Sequence, residues 1–200
     1  MASKSSRKMI AALQVSLDGF IQGPDGEKDW ADSWASALQL IPDVDMFVLG
    51  GRMYPDYGAY WESIEANPDR VPPFQEQVPT KSEVAYARLA ATTPHIVLST
   101  TLTSVSWPPT AQVIRDVAEL RTLKSRPGKN MYVVGGATLV ASLLNENLID
   151  ELRLIIHPIV LGKGQGLFSS VTRRLWLDLV QARANESGRV IVTYRRRAER

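Results

Sequence analysis

The feature that most constrains this chain is a junction that occurs twice. An apolar run ends in two adjacent glycines and gives way at once to a helix-forming segment, in "MFVLGG" (46–51) and again in "MYVVGG" (131–136). Short apolar runs bounded by glycine read as strands buried on both faces, as in parallel sheets. The rest of the chain alternates in the same manner. Met9 to Val15 reads as a strand entering the "SLDG" turn, and 23–30 as an exposed loop. Trp30, Trp34, Leu38 and Ile41 predict an amphipathic helix over 29–40. After the 44–51 strand, a short helix is expected over 52–64, then a proline-rich loop over 67–79 and a helix over 81–91.

Residues 95–99 form the next expected strand. Val113, Val117, Leu120 and Leu123 then predict a helix over 111–124, stopped by Pro127-Gly128. A strand at "MYVV", a helix over 137–144 and a long strand over 150–162 follow, and "LWLDLVQARA" and "RVIVTYRR" read as a terminal antiparallel hairpin. The expectation is an α/β fold: a mostly parallel central sheet, helices on both faces and a C-terminal antiparallel hairpin. One domain spanning 1–200 accommodates it.

Composition narrows the function more than the fold. A net charge of +2 gives no reason to expect a nucleic acid or an anionic membrane as partner. The basic ending "YRRRAER" reads as a solvated strand end and tail. With no cysteine there is neither a disulfide nor a thiolate metal site, and no metal is expected. The polar start "MASKSSRKM" and the interrupted run after it lack the form of a secretory signal or membrane helix, so a cytoplasmic location is expected.

Glycine at a strand-to-helix junction removes the side chain that would keep a ligand from the backbone. The helix that follows offers unpaired N–H groups and the positive end of its dipole, a setting suited to phosphate. Gly135, Gly136, Ala137 and Thr138 fit this description, as do Gly50 and Gly51 followed by Arg52; either pair can also be a plain tight turn. The spacing G-x-x-x-x-G-K-[ST] is absent, and "GKGQG" (162–166) reads as a flexible loop. The end of the third strand, "LSTTL", has no carboxylate for a free ribose hydroxyl. Ser99, Thr100 and Thr101 there suit a 2′-phosphate or cap the following turn.

Taken in order, "VSLDGFIQGPDGEKDW", "VLGGRMYPDY", "LSTTL", "YVVGGATLVASLL" and "IDELRLIIHPIVLGKGQGLF" resemble the dihydrofolate-reductase-fold family over nearly the whole chain. The closest branch is similar to the C-terminal reductase domain of the bifunctional riboflavin-biosynthesis deaminase/reductase. The resemblance implies an NADPH-dependent reductase that transfers a hydride to a small heterocycle, pterin-like or 5-amino-6-ribosylaminouracil-like. It places cofactor binding at Gly51, Arg52, Met53, Ser99, Thr100, Gly135, Gly136, Ala137, Thr138 and Leu139. It also implies a cis peptide between Gly135 and Gly136, and a homodimer. No deaminase segment with zinc ligands is present, so a stand-alone reductase is expected.

The candidates on the substrate side are Asp18, Asp29 and Asp32, any of which can supply a proton or order the water that does. Each also has an ordinary structural reading: Asp18 as a turn residue, Asp29 as a helix N-cap, Asp32 as part of a solvent face. Trp30 is placed to stack on a heterocycle or to pack in the core. Arg70, Arg173 and Arg174 are candidates for a basic phosphate pocket, and His95 and His157 read as structural. Two other readings stay open: a nucleotide-binding module without catalysis, and a reductase that uses a deazaflavin.

Overall fold

The computed structural model describes residues 7–41 and 43–197. The first six residues and the last three of the basic ending fall outside them, as does the side chain of Trp34. In chain order the elements are β1 (Met9–Ser16), β2 (Phe20–Gln22), α1 (Trp34–Leu38), β3 (Val44–Gly50), α2 (Tyr54–Ala66), α3 (Lys81–Thr92), β4 (His95–Leu98) and β5 (Gln112–Ile114). They continue with α4 (Val117–Ser125), β6 (Asn130–Val134), α5 (Ala137–Asn145), β7 (Glu151–His157), β8 (Gln165–Gly166), β9 (Leu177–Ala184) and β10 (Val190–Arg196).

Eight strands form one sheet in the order β5-β4-β3-β6-β1-β7-β10-β9, and β2 pairs with β8 in a small second sheet. The run from β5 to β7 is parallel, while β10 and β9 add the antiparallel edge. This is the expected α/β architecture. The two glycine-terminated strands are direct neighbours, with Leu49 opposite Val134, and β4 lies on the far side of β3 with Leu98 opposite Gly50. Three strand ends therefore meet at one point of the sheet.

The strand period of two divides the core between the faces. Met9, Ala11, Leu13, Val15, Val48, Met131 and Val133 pack against Leu120 of α4 and Leu139, Val140, Leu143 and Leu144 of α5. Burial of each of these large side chains contributes about 2 kcal/mol. Ile10, Ala12, Phe47, Leu49, Tyr132 and Val134 face the other way, toward α1, α2 and α3. That second layer is aromatic: Tyr54, Tyr57, Trp61, Tyr86 and Trp107 are all buried there. Among the described residues no helix is long and apolar enough to cross a membrane.

Four expectations need correction. The first helix starts at Trp34, capped by Ser33 rather than Asp29, because the backbone of Asp32 is held by the Gln14 amide in both directions. The 111–124 segment divides: Gln112–Ile114 pairs with β4, and α4 starts only after Asp116, which forms a reciprocal capping box with Glu119. β7 ends at His157, before Pro158, and it is an inner strand flanked by β1 and β10, so it offers no free edge. The Gly135–Gly136 peptide is trans; among the described residues the cis bond is Trp107–Pro108. Gly136 is extended, with φ −80° and ψ −178°, and leads into α5 without the costlier isomer.

Candidate active site: a cleft at the glycine-terminated strand ends

A cleft of about 700 Å³ opens on the aromatic face of the sheet, where β1 and β6 end. Ala12, Gln14, Tyr132 and Val134 of β1 and β6 line it, with Gly135 and Gly136 just beyond the end of β6. The rest of the lining comes from the 28–33 segment, from Met53 at the start of α2 with Asp56, Tyr57, Tyr60 and Trp61, from Glu83 of α3, and from Phe74 and Gln75. A half-open space of this size, mainly apolar with a few polar groups, suits a small organic ligand.

The glycines do two different jobs. A Cβ on Gly51 would lie 2.3 Å from the Cβ of Ser99, and one on Gly135 would lie 2.6 Å from a Leu139 methyl. Those two positions let β3, β4, β6 and α5 approach one another. A Cβ on Gly136 would meet only an Ile21 methyl at 3.9 Å, so packing does not require glycine there. Gly136 is also the N-cap of α5, makes no side-chain cap, and is followed by a first turn without an acidic residue. This nine-residue helix thus presents free N–H groups beside the cleft. The arrangement is compatible with the phosphates of a dinucleotide.

Of the other residues expected on the cofactor side, Arg52, Thr100 and Thr138 are exposed and Ala137 is buried. The Ser99 hydroxyl accepts from the N–H groups of Thr101 and Leu102, at 3.3 and 3.0 Å, and so caps a turn. The guanidinium of Arg115 donates to the Ser99 carbonyl at 2.6 Å, which places a cation at the β4 end. Sequence reasoning missed Arg115 because it was assigned to the interior of a helix. The Asp116/Glu119 pair marks the true start of that helix and was the available signal.

The substrate-side candidates separate clearly. Asp18 is outside the cleft lining: its carboxylate accepts from the Ser16 hydroxyl at 2.7 Å and from the N–H groups of Gly162 and Leu161 at 2.8 and 3.2 Å. The Ser16 hydrogen bond, followed by those two N–H groups, holds its pKa below the usual carboxylate value despite some desolvation. Asp29 and Asp32 both line the cleft. Asp32 is paired with Arg189 at 2.8 Å, whereas Asp29 has no cation partner among the described residues. Trp30 sits behind this wall, with its ring 5.3 Å from His157 in an edge arrangement.

His157 extends the support. It lies 2.8 Å from Gln14 Oε1, an atom that also accepts from the Asp32 N–H at 2.8 Å. Gln14 Nε2 donates to the Asp32 carbonyl at 2.7 Å, which fixes the amide orientation and makes His157 Nε2 the donor. Burial and the nearby Arg189 lower the His157 pKa, against a smaller opposing effect of Asp32. Deeper in, Tyr57 links Tyr86 and His95 at 3.0 and 3.1 Å. His95 Nδ1 lies 2.7 Å from the Thr93 carbonyl, which requires a proton on Nδ1 and leaves Nε2 to accept from Tyr57. Burial pushes His95 down to about 4. Sequence reasoning also missed the aromatic wall, whose signal is the three- and four-residue spacing of Tyr57, Tyr60 and Trp61.

A three-layer sheet-and-helix arrangement with a cleft at the carboxyl ends of its parallel strands places the protein in the class of open α/β folds. Within that class the chain belongs to the RibD C-terminal domain family, whose family model matches residues 7–192. It is 33% identical over 192 residues to the uncharacterized protein YyaP of Bacillus subtilis (strain 168), covering 94% of each chain. It is similar in fold to a putative riboflavin biosynthesis protein from Shewanella sp. PV-4, with TM-score 0.66 and 24% identity over 96% of this chain and 100% of that one. Dihydrofolate reductase from Enterococcus faecalis, solved with NADP(H), has the same fold, with TM-score 0.61 and 15% identity over 96% of this chain and 97% of that one.

Proposed function

We propose that the protein, acting as one domain over 1–200, is an NADPH-dependent reductase of a small heterocycle. The observation that carries this reading is a cleft lined both by Gly135 and Gly136, which lead into the uncapped start of α5, and by aromatic and acidic side chains. Family membership and the fold shared with a reductase support it. When bound, NADPH supplies a hydride. Gly51, Arg52, Met53, Gly135, Gly136, Ala137, Thr138 and Leu139 hold its phosphates and the adjoining ribose. Ser99 and Thr100, with Arg115 behind them, receive the 2′-phosphate.

On the substrate side, Tyr57, Tyr60 and Trp61, packed edge to face, give an aromatic wall beside the space for a ring. Asp29 is the preferred proton source, or the residue that orders the water delivering the proton, because it faces the cleft unpaired. Asp32 is a positioning residue, fixed by Gln14 and Arg189. Asp18 fastens the 158–164 loop to the first turn; its lowered pKa suits it poorly to proton donation. A second copy of the chain is expected to pair along the exposed edge strand β9, where Leu179 and Val180 face solvent; light scattering should give twice the chain mass.

The test is addition of NADPH to the purified protein, following cofactor fluorescence and melting temperature, and then a panel of reducible heterocycles with cofactor oxidation as readout. Saturable binding with turnover supports the reading. No response to NADPH at millimolar concentration removes it. Tight NADPH binding with no turnover across the panel, and no effect of Asp29→Asn on anything measured, would favour a nucleotide-binding module. Saturation by a deazaflavin in preference to NADPH would change the cofactor.

A further inference from the structure

The charges around the cleft bear on the class of substrate it admits. Among the described residues, the side chains that line it include Asp29, Asp32, Asp56 and Glu83, against a single cation, Lys28. Arg189, from outside the lining, neutralises Asp32 at 2.8 Å. Three carboxylates remain facing one ammonium group. Asp29 and Asp56 make no ion pair among the described residues, and Glu83 is engaged by neutral donors, Tyr60 and the Thr80 hydroxyl and N–H.

The arginines that a phosphate pocket would need are elsewhere. Arg173 is bonded to the Leu144 carbonyl and to Asn147, and neither Arg70 nor Arg174 lines the cleft.

Resting on the reading of this cleft as a reductase site, we infer that its substrate is a neutral or cationic heterocycle that carries no phosphate ester. A Thermotoga maritima protein of the same fold is a deaminase and 5-amino-6-(5-phosphoribosylamino)uracil reductase; it has TM-score 0.64 and 16% identity over 96% of this chain and 57% of that one. The phosphate dianion of such a compound would enter this cleft against uncompensated carboxylates, with one lysine to meet it. Like charges brought together in a partly desolvated site discriminate strongly between ligands. An amino-substituted ring, by contrast, finds carboxylates for its N–H groups and an aromatic wall beside them.

The experiment titrates the NADPH-loaded protein with 5-amino-6-(5-phosphoribosylamino)uracil and with the same compound after removal of its phosphate, reading affinity by calorimetry. The unphosphorylated compound is expected to bind at least about tenfold more tightly. Asp56→Lys, on the exposed first turn of α2, is expected to shrink that ratio several-fold by strengthening the phosphorylated partner. Equal or tighter binding of the phosphorylated compound overturns the inference, as does failure of both compounds to bind while NADPH still binds. Failure of NADPH itself to bind is a different result and removes the reductase reading instead.

Discussion

The two sides of the cleft are built from opposite materials. The side formed by Gly135 and Gly136 is bare backbone, and it leads directly to the uncapped N-terminus of α5. The side formed by the 28–33 segment, α2 and α3 is made of long side chains: carboxylates, phenols and indoles. A backbone site recognises a constant anionic group and cannot be retuned without moving a strand. A side-chain site changes with single substitutions. The contrast fits the proposed reductase, in which one cofactor would be kept while the substrate varies.

The sharpest way to break the comparison is on the backbone side, where the glycines differ. Gly136→Val fits the extended backbone, and its Cβ meets only an Ile21 methyl. It should lower NADPH affinity about 100-fold or more by blocking approach to the helix N-terminus, with melting temperature nearly unchanged. Gly51→Ala should do the reverse first: its Cβ overlaps Ser99, so denaturant titration should show a loss of about 2–3 kcal/mol. On the side-chain wall, Asp29→Asn should reduce kcat about 100-fold while NADPH affinity stays the same. If kcat holds and only KM rises, Asp29 binds substrate without moving a proton.

A pH series tests the aromatic support behind that wall. His95 is fully buried and its pKa is pushed down to about 4, from 6.5. Between those values the unfolded chain binds a proton that the folded protein refuses, so stability is full above about 6.5 and falls as the pH drops toward 4. The loss should approach about 3 kcal/mol, read as the denaturation midpoint at successive pH values, and His95→Gln should flatten the slope. His157 is shifted in the same direction and adds to the fall. The smallest effect is expected at Asp18: Asp18→Asn should change kcat/KM less than about threefold while amide exchange at Leu161 and Gly162 accelerates, as for a loop fastener rather than a proton donor.

Much of the fold was legible because its strands are short apolar runs punctuated by glycine and its longer helices carry ordinary stop and start signals. Legibility failed where partners are remote. Gln112–Ile114 is a strand because β4 pairs with it, and a three-residue run has too little period to reveal that. The first helix was placed too early because Trp30 fits a helical stripe, yet the Gln14 amide holds Asp32 in a turn. At the site, the glycine pairs could be read from the sequence because each closes its own apolar run, a signal that is local in the chain. The acidic wall could not be: Asp29, Asp56 and Glu83 come from three separate segments and meet only across the cleft.

The most direct test of the central claim is a titration of the unaltered protein and of Gly136→Val with NADPH, following cofactor fluorescence. The account predicts saturable binding by the unaltered protein and loss of that binding in a variant that melts at the same temperature. Absence of binding to the unaltered protein at millimolar NADPH, or equal binding by both, would contradict it.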